Sequence, residues 1–214
     1  MTRVPLPYQP FSSETADSRG HPVIVLEGVS GIGKSTLASL LAARLQGFSL
    51  HTLTSPHTDW APVISELRPL PQLGFYLSGL LHASDRIRQE QAHGPVVADR
   101  YQSSVIACHA AVHHVPTDAV TALLAPFRSY LVAPTRTYYL HCSPDTLQRR
   151  MATKKVLARD DTDLLTIPTR LPQLMANFAE VAQTDTSAVR LDTDGKSPDE
   201  LADWVLNDLE HPRA

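Results

Sequence analysis

The chain of 214 residues has 2 cysteines, 9 glycines, and no apolar run approaching the roughly 18 residues of a membrane span. Each scarcity excludes something. Cys108 and Cys142 cannot make a disulfide framework, and with only histidines to join them they give no zinc spacing, so a reducing, cytoplasmic setting is expected. The first residues carry proline and serine where a signal peptide needs an apolar core. Charge of one sign is lacking too. With 19 Lys+Arg against 22 Asp+Glu the formal net charge is -3, which excludes a strongly basic binder of nucleic acid and a charge-rich disordered chain. Neither a nucleic acid polymer nor a membrane is expected as a partner. Hydrophobic residues make up 43%, and a chain this long buries roughly 70% of the surface its unfolded form exposes. Proline, at 17, is the abundant residue. Where the scarce glycines cluster, the cluster should carry information.

Residues 1–20 contain three prolines and no period of 2 or 3.6, and read as a flexible arm ahead of one domain over 21–214. Val23-Ile24-Val25-Leu26 is a short apolar run of the kind found in a parallel strand buried on both faces. Gly28, Gly31 and Gly33 follow it, and then a helical pattern runs to Gly47, read as its C-terminal cap. Further strands are expected over 48–53, 96–98, 137–141 and 189–191. Helices are expected over 73–92, 103–114, 118–127, 145–151, 172–182 and 198–209, the last with Ser197 as N-cap and Pro198 at its first position. Prolines at 56, 62, 69 and 71 leave room only for short helices between 54 and 71. Five short strands separated by helices predict an α/β protein, a parallel sheet with helices on both faces.

Gly28-Val29-Ser30-Gly31-Ile32-Gly33-Lys34-Ser35 fits G-x-x-x-x-G-K-[ST] without a gap, between a strand and a helix as that pattern requires. Glycines let successive backbone N–H groups point into one cavity, and the helix N-terminus adds its positive dipole end where phosphates sit. Gly28, Ser30, Gly31, Ile32, Gly33, Lys34, Ser35 and Thr36 are therefore the expected ATP-binding residues. Lys34 would reach the β- and γ-phosphates, and the Ser35 hydroxyl would ligate Mg²⁺. The GTPase base-reading pattern N-K-x-D is absent.

Leu26-Glu27-Gly28 before the loop, Asp85-Arg86 within a helix and Asp99-Arg100-Tyr101 after the third strand together resemble the thymidylate kinase family of nucleoside monophosphate kinases. The resemblance runs from about Val23 to the C-terminus. It implies a P-loop fold with a five-stranded parallel sheet in a three-layer sandwich, ATP-dependent phosphoryl transfer to dTMP or a related nucleotide, and a homodimer. On that basis Arg86 packs against the acceptor base, Arg100 binds the acceptor phosphate, and Ser104 lies near the base pocket. Asp99 shares Mg²⁺ with Ser35. A lid over about 149–163 supplies cations to the transferred group, with Arg149 first and Arg150, Lys154 and Arg159 as alternatives. The loop around Leu191-Asp192 and Ser197 flanks the adenine.

The chain departs from that family at the acceptor side. Ser30 stands where an Asp is usual, His82 where an aromatic ring stacks on the base, Val105 where a polar residue reads it, and Cys108 where Tyr or Phe closes on the sugar. Glu27 also matches the general base of deoxynucleoside kinases, relatives with the same core, and Pro56 with Trp60 reproduces their spacing after the second strand. A kinase acting on a hydroxyl of a nucleoside or other small molecule is therefore the alternative, with Glu27 or Asp99 as base. A third reading is a regulator that binds ATP without turnover. His109, His113 and His114 read as ordinary packed or exposed histidines.

Overall fold

The computed structural model describes residues 8, 9, 20–154, 164 and 166–211, so most of the expected arm and nearly all of the lid beyond Lys154, Lys155 and Arg159 included, lie outside the described residues. Five strands, β1 (Val23–Glu27), β2 (Phe48–His51), β3 (Val96–Asp99), β4 (Arg136–His141) and β5 (Ala188–Asp192), form one parallel sheet in the order β2-β3-β1-β4-β5. Successive side chains on a strand point to opposite faces, and β1 in the centre shows why its apolar run is unbroken. Ile24 and Leu26 join one core cluster, with α1 (Lys34–Arg44), α7 (Arg170–Thr184) and α8 (Pro198–Glu210), while Val23 and Val25 join the other, with α3 (Pro69–Gln91), α4 (Gln102–His113) and α5 (Thr117–Leu124). Helices cover both faces, as expected.

The long α3 begins earlier than its prolines suggested. Pro69 and Pro71 occupy its first turn, where backbone N–H groups have no intrahelical acceptor, so they start the helix rather than interrupt it. A short helix, α2 (His57–Ile64), precedes it. After α5 the chain tightens into a 3₁₀ turn over Ala125–Phe127, a split that the single expected helix over 118–127 did not contain. Gly47 does not provide the left-handed turn after α1, since Gln46 has φ 53° and the Gly47 amide donates to the Ala42 carbonyl at 2.9 Å. Ser197 caps α8 in a reciprocal capping box with Glu200, and Ser143 caps α6 (Pro144–Ala152) by accepting from Thr146 N–H.

Because all five strands are parallel, their C-terminal ends share one edge. That edge carries the phosphate loop after β1, Asp99 and Arg100 at β3, His51 and Thr52 at β2, Ser143 after β4 and Thr193 after β5. Open α/β sheets place their ligand crevices there. Among the described residues no helix is long and apolar enough to cross a membrane.

Candidate active site

The loop from Gly28 to Gly33 takes backbone conformations that side chains resist. Gly28 has φ 140°, and a Cβ there would lie 2.7 Å from the Leu140 carbonyl oxygen; Gly31 has φ 81°, and a Cβ there would run into Met151 Sδ. Gly33 leads directly into α1, so the helix N-terminus faces the loop. Lys34 is buried beneath it and donates from Nζ to the carbonyls of Gly28 at 2.9 Å and Val29 at 2.8 Å. Burial, aided by the Arg100 guanidinium, pulls its ammonium down to about 7. An anion bound at the loop would restore the charge.

Glu27, at the end of β1, is 0% exposed. Its carboxylate accepts from the N–H groups of Tyr101 at 2.9 Å and Ser104 at 3.1 Å and from the Ser104 hydroxyl. Burial raises its pKa, and the hydrogen bonds and Arg100 work against that rise. Those three donors occupy three of the carboxylate's roughly four acceptor positions and fasten the start of α4 to the central strand, so Glu27 serves as an anchor there. Arg100 follows with φ 72°, a left-handed conformation that costs a non-glycine residue on the order of 1 kcal/mol. That turn aims Nη1 at the Gly28 carbonyl, 3.4 Å away, and at Ser104 Oγ, 3.1 Å away.

Ser35 Oγ donates to Asp99 Oδ2 at 2.5 Å. The other carboxylate oxygen, Asp99 Oδ1, is buried with no hydrogen-bond partner among the described residues. A hydroxyl beside an orphaned carboxylate oxygen, under a loop built for anions, is a donor set suited to a hard divalent cation that accompanies phosphate.

These groups line a cavity of about 1050 Å³. At one end stand Ser30, Gly31, Gly33, Lys34, Ser35, Thr36, Asp99 and Arg100. Elsewhere the wall is made by side chains of several elements: His51 and Thr52 of β2 and its exit, Gln72 and Tyr76 of α3, Ser104, Val105, Cys108 and His109 of α4, and Arg170 and Leu174 of α7. His109 is 8% exposed, and burial together with His113 pushes its imidazole down to about 4, so it is neutral at physiological pH. Gln72 Oε1 and His113 Nε2 meet at 2.5 Å, tying α3 to α4.

A second, smaller cavity of about 300 Å³ is lined by Thr146, Arg149, Arg150, Thr153, Gly195 and Lys196. Arg150 lines both cavities. Its Nη1 donates to the loop carbonyl of Ile32 and to Thr193 Oγ1, each at 2.8 Å, and its Nη2 to the Thr193 carbonyl at 2.9 Å. Arg149 instead donates from Nη2 to Thr146 Oγ1 at 3.0 Å, within its own helix. Of the expected lid cations, Arg150 and Lys154 line the cavity with the phosphate loop, and Arg149 lines only the small one.

Three expected acceptor contacts lie elsewhere. Arg86 pairs with Glu90 at 3.0 Å and sits over the Phe48 ring at 5.8 Å, outside the cavity wall. Being one turn apart on α3, Arg86 and Glu90 satisfy each other. His82 packs beside His57, ring centroids 5.6 Å apart, and its Nδ1 lies 3.4 Å from Thr54 Oγ1, behind the wall. Trp60 is 61% exposed on α2. Conversely, His51, Thr52, Gln72, Tyr76 and Arg170 line the cavity without a role expected from the sequence, and so does His109, read there as an ordinary packed or exposed histidine. The end of a strand at the ligand edge would have pointed to His51, and helical spacing from Val105 and Cys108 would have pointed to His109. Gln72 precedes the expected helix, at the prolines that make the start of α3 look irregular, while Tyr76 lies within it with no local sign of which way it faces.

Residues 26–202 match the family model described as thymidylate kinase. A probable thymidylate kinase of Methanocaldococcus jannaschii is 26% identical over 195 residues, spanning 88% of this chain and 95% of that protein. The solved structure of thymidylate kinase from Candida albicans aligns with a TM-score of 0.69 at 18% identity, over 89% of this chain and 92% of that one. A deoxyadenosine kinase from M. mycoides, solved with dCMP and dCDP bound, aligns with a TM-score of 0.62 at 14% identity, over 89% and 100%. At these identities the two structural likenesses establish the fold.

Proposed function

This chain belongs to the thymidylate kinase family of ATP-dependent nucleoside monophosphate kinases, and from that premise we propose how its residues divide the reaction with dTMP or a related nucleotide as acceptor. The phosphate loop and Lys34 hold the donor phosphates by backbone N–H groups and one ammonium. Ser35 and Asp99 hold the Mg²⁺ that travels with them, the orphaned Asp99 Oδ1 being the observation that supports the site. The cation's part is to offset negative charge on the phosphates. Arg100 grips the acceptor phosphate, which reduces the repulsion between two anions and aligns them for in-line attack. Arg150, fixed by three hydrogen bonds at the junction of the cavities, reaches the donor phosphates, while Arg149, Gly195 and Lys196 flank the donor base in the small cavity.

The observation that carries this reading is the convergence of Lys34, Ser35, Asp99 and Arg100 on one cavity, with the Arg100 backbone held left-handed to reach it. Glu27, 0% exposed, engaged by three donors and absent from the cavity wall, favours a phosphate acceptor over transfer to a hydroxyl. The experiment is ADP formation from ATP and Mg²⁺ with a panel of dNMPs, NMPs and nucleosides. Turnover is expected with at least one monophosphate and with no nucleoside; no ADP above the acceptor-free rate would overturn both nucleotide-directed kinase readings. A homodimer in the cytoplasm, as the family implies, belongs to the same proposal, and sedimentation at micromolar concentration tests the assembly.

A further inference from the structure

Along the C-terminal edge of the sheet the parts of the site fall in strand order. The small cavity with Arg149, Gly195 and Lys196 lies past the ends of β4 and β5, the phosphate loop follows β1, Asp99 and Arg100 end β3, and the edge strand β2 ends in His51. A donor base at the first position and donor phosphates at the second leave the ends of β3 and β2 for the acceptor. His51 is the direct register partner of Asp99 across the β2–β3 pair. Its exposed side chain lines the large cavity.

The ring's orientation and tautomer follow from a backbone contact. The Leu53 N–H donates to His51 Nδ1 at 3.2 Å, so that nitrogen presents its lone pair and the neutral ring carries its proton on Nε2. A ring that accepts a hydrogen bond at Nδ1 is neutral, so the Leu53 contact itself fixes that form. Lys34 and Arg100 already repel each other, so a third full charge beside them would be costly. A neutral N–H donor adds a hydrogen bond to phosphate without that cost.

We propose that His51 is an acceptor-binding residue, a neutral imidazole whose Nε2–H donates to the acceptor's phosphate from the β2 side of Asp99. It complements Arg100, which supplies the charge. The assignment rests on the monophosphate kinase reading above, and it gives that site a specificity element: a hydrogen bond that a nucleoside lacking the phosphate cannot accept.

Steady-state kinetics and calorimetric titration of the full chain test it, using dTMP, dCMP, dAMP and dGMP and their nucleosides on wild type, His51→Ala and His51→Gln. The glutamine amide N–H replaces Nε2–H without charge. His51→Ala should raise the KM of the preferred monophosphate about tenfold, the scale of one hydrogen bond to a charged group, while the ATP KM stays within about twofold. Nucleoside affinity should not change, and His51→Gln should bring the monophosphate KM back to within about threefold of wild type. An unchanged monophosphate KM in His51→Ala, equal weakening of nucleosides, or a glutamine variant no better than alanine would overturn the assignment. A fall in melting temperature does not confuse these outcomes, because the glutamine variant compares the donor and not the fold. If wild type phosphorylates no monophosphate, the function reading fails and takes this inference with it. Wild-type turnover with an indifferent His51→Ala fails the inference alone.

Discussion

At the end of the large cavity proposed for the donor the wall is a loop with glycines at positive φ, one buried lysine and one carboxylate, all placed by three consecutive pieces of chain and the end of the adjacent strand β3. At the acceptor end they are side chains from β2, α3, α4 and α7, brought together only by tertiary packing. The donor end is therefore specified by backbone geometry, which tolerates little substitution. The acceptor end is specified by which side chains happen to point inward, so it can change substrate while the fold stays the same. Ser30, Val105 and Cys108 line that cavity where the family usually has more polar or aromatic groups, and the site's discrimination must come from other neighbours.

The sharpest contrast should appear between Lys34 and the acceptor residues. Lys34→Ala is expected to lower kcat by about 10³-fold or more, with the melting temperature held or raised because a buried cation is removed. A loss smaller than tenfold would deny the donor end its special status. Next, Arg100→Gly should lower kcat/KM for the acceptor by about 10²-fold while the ATP KM stays nearly constant. The glycine variant should also be more stable than Arg100→Ala by about 1 kcal/mol, since both lose the guanidinium and only glycine accepts the left-handed backbone without strain. A glycine variant no more stable than the alanine one in chemical denaturation would contradict the strained-backbone reading.

Glu27→Ala tests the anchor between the two ends. It leaves two buried N–H groups without an acceptor, so stability should fall by about 2 to 3 kcal/mol in urea denaturation. The smallest effect is a proton count. Lys34 titrates at about 7 in the ligand-free protein against 10.5 ordinarily. Between those values the unfolded chain binds the additional proton, so ligand-free stability rises with pH across that window. Phosphate binding restores the ammonium, so ATP binding at pH 8 should be accompanied by net proton uptake, read from calorimetry in buffers of different ionisation enthalpy. Uptake near zero would mean that Lys34 is already charged.

The same contrast explains what the sequence disclosed. The strands, the loop and the positions of Lys34 and Ser35 were legible because contiguous residues determine them, and that of Asp99 because a strand end on the ligand edge is a local feature. Arg100 was readable only through the pattern of its neighbours. Arg86 and Trp60 stand at motif spacings, yet a salt bridge with Glu90 occupies the first and solvent surrounds the second. Nothing local separates a helix residue that faces a pocket from one that meets a partner four residues on. Gln72 entered the wall through packing between elements distant in sequence, which no single segment records, whereas His51 at a strand end and His109 one turn beyond Val105 carry local signals of their own. Glu27 has the identity and position of a base, and only its three donors, two of them backbone N–H groups from the start of α4, revealed an anchor.

The most direct measurement identifies the product of the wild-type protein with ATP, Mg²⁺ and matched pairs of monophosphate and nucleoside by phosphorus NMR. A β-phosphorus signal from a newly formed nucleoside diphosphate, with the nucleosides unchanged, is the predicted result. Formation of a nucleoside monophosphate from a nucleoside, with monophosphates left unconverted, would contradict the placement of Arg100 on an acceptor phosphate.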